Sequence, residues 1–372
     1  LQEAVKTYVS NPDPAFNIRP LIDEAVQAGA FVNPVFDNSD STLLHEATYR
    51  GDVDTITALL DSGANASART ARMFTPLQIA VDNDQTDTLN MLLGAGADTE
   101  AKDWQGQTAL MKAATIGSAT LTSALLKAGA DINATDNIAG GPVLHFARTR
   151  EVVDVLLQAR ADVHATTKNT ALRGKSENAL QSLASFASAE VLAALVDAGL
   201  KVDAIALHYA VDRNNIAAIQ FFLQNGVDVD ARHAGDGDNT PLMGAVDKKH
   251  FDCNVLCVST LLEARADVNA TNRFGETALH HAAREKNFRA LDLLLKAGAD
   301  VHAKNEDGDT PLVLAAIAAN ENHQPQMHCL NLLLEAGADV QLMFDNGDTL
   351  LHVVVDARRN CNLRDHFFDD IR

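Results

Sequence analysis

The chain repeats itself, and that excludes most other ways of folding 372 residues. A phrase of the type Thr-Pro-Leu-His followed by Ala recurs in degraded form from Thr42, Thr75, Thr108, Pro142, Asn178, Ile205, Thr240, Thr277, Thr310 and Thr349, a period of 33 residues from which single intervals depart, between 27 and 39. A second phrase follows the first: LLDSGANASA from Leu59, LLGAGADTEA from Leu92, LLKAGADINA from Leu125 and so on to LLEAGADVQL from Leu333, and residues 21–33 supply a further copy. A fixed period of this length replaces independent domains with an array of one supersecondary unit. Aromatic residues are only 5% of the chain, so the core must be built from Ala, Leu and Val in closely packed helices.

Each unit reads as two short helices. The Thr of the first phrase suits a helix N-cap, with Pro in the first turn. About eight helical residues follow. A polar turn leads to a second helix carrying the VxxLL stripe, closed by the Gly that helix C-termini favour. The remaining residues, such as NATNRFGE, are turn formers and predict a hairpin-like loop. One such unit cannot bury its apolar face alone, so the units must stack.

TPLQIA, TALHHAA, LLKAGADVHA and NEDGDTPLVLAA resemble the consensus of the ankyrin-repeat family. The resemblance covers about residues 15–356 and implies an all-α solenoid of about eleven stacked helix-turn-helix units with hairpin-like loops. It implies protein binding through hairpin tips and first helices, and it leaves the partner open. The expected organisation is a divergent N-terminal capping repeat (1–41), an N-terminal block (42–164), an irregular repeat with altered hairpins (165–204), a C-terminal block with inter-helix insertions (205–348) and a divergent C-terminal capping repeat (349–372). The segment 163–177 lengthens one hairpin, the hairpin between Lys201 and Ile205 is shortened, and the insertions at 247–258 and 317–329 are expected in turns between helices.

Composition narrows the partners. A formal charge of -20 disfavours nucleic acid, and no stretch has the ~20 apolar residues needed to cross a bilayer. Four cysteines do not make a disulfide framework, and no basic-then-apolar leader opens the chain, so an intracellular, cytoplasmic setting is expected. The chain opens on Leu1 rather than Met, which admits a longer parent: an enzyme, channel or effector of which this is the recognition or regulatory segment. A structural bridging subunit of a large assembly is the other alternative.

Catalytic motifs are wanting, and no enzyme is expected. Gly174-Lys175-Ser176 has Asn169 where a phosphate-binding loop needs Gly. His45, His145, His208, His280 and His352 occupy the fourth position of the repeat phrase, where the resemblance implies bonding to the neighbouring repeat's backbone. His250, Cys253 and Cys257, and His323, His328, Cys329 and Cys361, have ligand chemistry, but core cysteine and solvated histidine account for them better; neither metal nor cofactor is expected. Asn133 and Asn269 resemble ankyrin-repeat positions that an asparagine hydroxylase can modify.

Register assigns the binding face. Tips lie three and four residues before each anchor, and exposed first-helix positions seven and eight after it. The N-terminal half then offers an apolar and basic strip: Phe36, Tyr49, Arg50, Arg69, Arg72, Phe74, Lys102, Trp104, Ile116, Ile138 and Arg150. The C-terminal half offers Asp236, Asp247, Arg273, Phe274, Glu306, Asp307 and Asp345, an acidic strip. Trp104, the single Trp, is the expected anchor of a partner protein.

Overall fold

The computed structural model describes residues 8, 18–28, 33, 35, 40–168, 176–233, 237–247, 254–317 and 323–340. It is all-α, and among the described residues β structure is confined to isolated bridges at the bases of hairpins, such as Thr135 to Pro142 and His233 to Asn239. The chain forms two compact units, the first of residues 1–183 and 187–201, the second of 184–186 and 202–372.

In the first unit, α1 (Arg19–Gln27) precedes the helix pairs α2 (Leu43–Arg50) and α3 (Val53–Asp61), α4 (Pro76–Asp82) and α5 (Thr86–Gly94), and α6 (Ala109–Ile116) and α7 (Ala119–Lys127). A 3₁₀ turn (Val143–Phe146) with α8 (Arg150–Gln158), and α9 (Ala179–Ala184) with α10 (Ala189–Asp197), complete it. First helices pack on first helices and second on second, α2 to α4 to α6 and α3 to α5 to α7 to α8, giving two layers. The second unit repeats the plan with α11 (Ala204–Asp212), α13 (Pro241–Val246), α15 (Ala278–Arg284) and α17 (Pro311–Ile317) in one layer. In the other lie α12 (Ile216–Gln224), α14 (Asn254–Glu263), α16 (Phe288–Lys296) and α18 (His323–Glu335). The cores between layers hold Leu, Ala and Val almost throughout, for example Leu77, Leu89, Leu92, Leu110 and Leu121, all with no exposed surface.

In five phrases the fourth position joins one repeat to the next, whereas Met111, Met243 and Val313 hold it in three others. Gln78 is fully buried; its Oε1 accepts the Thr75 N–H at 3.0 Å, and its Nε2 donates to the carbonyls of Ala101 (3.0 Å) and Gln107 (2.9 Å) in the next hairpin. His45 does the same: Nδ1 faces the Thr42 N–H at 3.1 Å, so Nε2 carries the proton and reaches the carbonyls of Ala68 (3.1 Å) and Phe74 (3.2 Å). His280 bonds Asp309 O at 3.1 Å, His208 bonds Ala231 O at 2.8 Å and His145 bonds Ala165 O at 3.1 Å. Burial lowers the pKa of His145 and His280, which keeps each ring neutral and able to accept and donate together. One side chain thus closes a capping box and ties its repeat to the next. Where Val313 takes the position, the hydroxyl of Thr310 is buried with no hydrogen-bond partner.

Four local departures have local causes. Only 14 residues separate Pro142 from Leu156, against 17 from Thr108 to Leu125, so the cap of α8 at Thr149 arrives early and the first helix shrinks to a 3₁₀ turn. Arg150 is therefore the first residue of a second helix, not the end of a first helix as register predicted. Between α10 and α11 the hairpin is gone: Gly199 adopts a positive φ of 106° after α10, and Asp203, not Ile205, caps the next helix. The long hairpin closes with Thr167 N–H on Glu177 O at 2.9 Å. Finally, residues 323–329, expected as a turn, form the start of the 13-residue α18, whose first turn tolerates Pro325.

Replacing Gln78 by Ala should lower stability by about 3 kcal/mol, because three backbone groups lose a buried partner. A fall no larger than that of Gln105→Ala, on a hairpin tip, in urea unfolding would show that the joint contributes little.

Candidate partner-binding face

Hairpin tips are built by a single device. In the second hairpin, Asp103 Oδ1 accepts the N–H groups of Gln105 and Gln107, both at 2.9 Å, and Gly106 N–H returns to Asp103 O at 2.9 Å. Asn272 does the same for Phe274 and Glu276, and Asn305 for Asp309. In the first hairpin Thr70 Oγ1 accepts the Phe74 N–H at 3.1 Å. With its polar atoms spent on the turn, the tip holds its outward residues rigidly: Arg72 and Trp104 in the first unit, and Arg273, Phe274, Glu306 and Asp307 in the second. Neighbouring tips tile through the backbone: Asn137 N–H bonds Gln105 O, Arg273 N–H bonds Gly237 O and Glu306 N–H bonds Phe274 O. A β-carbon on Gly106 would lie 2.5 Å from the Asn137 nitrogen, and its φ of 79° suits glycine.

In the first unit, Trp104 is 63% and Tyr49 66% exposed, with Ile116 and Ile138 at 43% and 45%. Arg69 and Arg72 are exposed and make no hydrogen bond or ion pair with any described residue. Three other predicted residues are already engaged. Arg50 pairs with Glu46 at 2.7 Å and lies over the Tyr8 ring, whose hydroxyl donates to Asp52 at 2.8 Å. Burial, with the Asp52 bond, raises the pKa of that phenol. Lys102 donates to Thr135 O at 2.6 Å. Phe74 is half-buried beneath Lys112, whose ammonium pairs with Asp82 (3.1 Å) and buried Asp103 (3.4 Å). Phe36 lies outside the described residues.

Register missed Met73, 41% exposed at φ 65°. It stands where Gly106, Gly275 and Gly308 stand in their tips, and that alignment is the signal that could have found it.

In the second unit Glu306, Asp307, Arg273 and Phe274 are exposed, with the Arg273 guanidinium 4.7 Å from the Phe274 ring centre. Asp236 and Asp345 lie outside the described residues. Asp247 is bound to His281 Nδ1, and His281 Nε2 lies 3.2 Å from Glu276, which also pairs with Arg284. These four residues line a cleft of about 500 Å³ with Phe274 and Asp307. Burial opposes charge on His281, but the bonds to Asp247 and Glu276 outweigh it and raise its pKa to about 9. The His281 bond, against burial and aided by Arg284, holds Glu276 at about 2.

The family model for ankyrin repeats, three copies long, matches residues 16–103, 44–136, 77–169, 176–272, 207–305 and 242–343. The chain is an ankyrin-repeat protein. No curated protein sequence matched it. Ankyrin repeats generally mediate protein–protein interaction and are typically non-catalytic modules. No helix among the described residues is long and apolar enough to cross a membrane, and no described group of three His, Cys, Asp or Glu side chains could hold a metal ion. Cys257 and Cys329 are core residues, burial pushing the Cys329 thiol up to about 12, and His328 packs on Phe288 with ring centres 5.2 Å apart. His250, Cys253 and Cys361 lie outside the described residues. Asn269 is tied to the following repeat, accepting the Asp300 N–H at 2.8 Å.

His281 gives the second unit a pH dependence of definite sign. Its folded pKa of about 9 stands above the ordinary 6.5, so the stabilisation is fully present below pH 6.5 and is lost as pH rises through about 9. Urea midpoints of the wild-type ankyrin chain should fall more between pH 6.5 and 9.5 than those of His281→Gln; parallel curves would mean that the imidazolium is not formed.

Proposed function

We propose that this ankyrin-repeat chain is a non-catalytic scaffold or adaptor that binds a partner protein on the face formed by its hairpin tips and first helices. The observation that carries the reading is Trp104: a large side chain 63% exposed at the tip of a turn whose backbone is fixed by buried Asp103. An apolar group held rigidly in water costs solvation and gains little until a partner covers it, and Trp is among the residues enriched as anchors of protein interfaces. Tyr49 and Ile116, exposed at the C-terminal ends of α2 and α6, extend the face, and in the second unit Arg273, Phe274, Glu306 and Asp307 supply a more polar one. Because the tips are fixed before binding, little entropy is lost on association. The setting that fits this role is intracellular and cytoplasmic, with the chain acting alone or within a multi-subunit complex, or as the recognition segment of a larger protein.

A second reading, a bridging subunit of an assembly, draws on the opposite side of the second unit. There Val255, Phe288, Leu293, His328 and Leu332 line a largely apolar cleft of about 630 Å³, and Leu256 nearby is 58% exposed.

Partner capture from native extract, quantified by mass spectrometry, separates the two. The Tyr49→Ala/Trp104→Ala variant should lose a specific partner that the wild type retains, with affinity reduced about 30-fold or more, while its thermal unfolding stays unchanged because both side chains are exposed. Retention by that variant and loss on Leu256→Asp would favour the bridging role.

A further inference from the structure

The tips of the first unit carry an apolar row edged with unpaired positive charge. Met73, Trp104 and Ile138 sit on three consecutive hairpins, 41%, 63% and 45% exposed. Arg69 and Arg72 flank the first of them, exposed and without a hydrogen bond or ion pair to a described residue. Four carboxylates of these and the adjoining repeats are already engaged. Asp103 and Asp136 are buried and accept the amides of their own turns, Asp82 pairs with Lys112, and Glu46 pairs with Arg50. Asp40, in the preceding hairpin, forms no ion pair with either arginine. In a chain of formal charge -20, two free guanidinium groups beside an apolar row form a local exception in sign.

Resting on the scaffold reading, we propose that this row docks a linear segment of the partner protein that is apolar along the tips and acidic where it passes Arg69 and Arg72. The apolar side chains of the segment cover Met73, Trp104 and Ile138, and its carboxylates meet guanidinium groups able to form paired, charge-assisted hydrogen bonds. The spacing follows from the stack. Neighbouring repeats lie roughly 8–10 Å apart, and a segment in the polyproline-II conformation advances about 3.1 Å per residue with three residues per turn, so apolar residues at every third position share one face and fall on successive tips. A basic segment would meet Arg69 and Arg72 with like charge.

The test is selection of a displayed random 12-residue peptide library on the full chain, followed by titration of the enriched peptides, reading the emission of Trp104, the single Trp, and the anisotropy of labelled peptide. Enriched sequences should combine carboxylates with apolar residues three apart. Both Trp104→Ala and Arg69→Glu/Arg72→Glu should weaken them by about tenfold or more. Lysine versions of the same peptides should bind Arg69→Glu/Arg72→Glu better than the wild type. A neutral or basic consensus, peptides indifferent to both variants, or no enrichment would each overturn the proposal. Peptides that lose binding on Arg273→Ala/Phe274→Ala but keep it on Trp104→Ala would place the ligand on the second unit, overturning this inference while leaving the scaffold reading standing. So would a partner captured from extract through Tyr49 and Trp104 when no peptide is enriched.

Discussion

In five repeats the joint to the next depends on one buried polar side chain, His45, Gln78, His145, His208 or His280. A short first helix ends its N-terminus inside the stack, and the hairpin of the next repeat presents carbonyls that no strand partner satisfies. Left alone, each such group would cost roughly 1–3 kcal/mol. Gln78 and His45 answer both needs at once, accepting from the cap residue behind and donating to the hairpin ahead. Because the acceptors lie 23 and 29 residues further along, the bond acts between repeats rather than within one. It therefore fixes the position of each hairpin relative to the helix before it, and with it the tip that carries the exposed residues. Beside Val313 the Thr310 hydroxyl is buried without a partner, whereas beside Met111 and Met243 the Thr108 and Thr240 hydroxyls accept the amide of the fourth residue.

This arrangement was largely legible in the sequence, because the same few residue types must recur wherever the same backbone groups need satisfying. Thr at the cap, His or Gln three later, and Gly after the second helix are each tied to one local geometry, so their spacing carried the fold. The departures were harder. The loss of three residues after Pro142 was visible as a number, but its result, a 3₁₀ turn in place of a helix, depends on whether the cap at Thr149 or the first helix prevails. The cap prevails because α8 retains the full apolar stripe Val152, Val153 and Leu156, all fully buried. Likewise residues 323–329 read as a polar insertion, whereas the chain extends the helix it already has.

The candidate binding face was legible only in outline. Register gives the direction of a side chain, so Trp104, Tyr49 and Ile138 could be placed on the surface. It does not give the neighbours, so the engagement of Lys102 with Thr135 O and of Arg50 with Glu46 could not be read. The same limit affects the second unit, where counting carboxylates suggested an acidic strip. Asp247 and Glu276 are in fact held by His281 and Arg284, and the cleft they line mixes both signs. Formal charge is a property of composition, but the field a partner meets depends on which charges are already paired.

The two units thus carry unlike surfaces on one repeat plan. In the first, turn carboxylates such as Asp103 and Asp136 face inward, so the tips are free to hold apolar residues and unpaired arginines. In the second, Asn272 and Asn305 do the same turn-holding work without charge, and the acidic residues appear instead on the tips as Glu306 and Asp307. Asp and Asn are equivalent for the backbone, since each offers one side-chain oxygen to the same amides. They differ in what they leave behind: an aspartate carries a charge, which at Asp103 is met by Lys112 and at Asp136 by backbone amides, and an asparagine carries none. The choice between them at a buried turn position therefore alters the charge of the exposed surface without altering the hairpin, which lets one backbone plan carry two unlike surfaces.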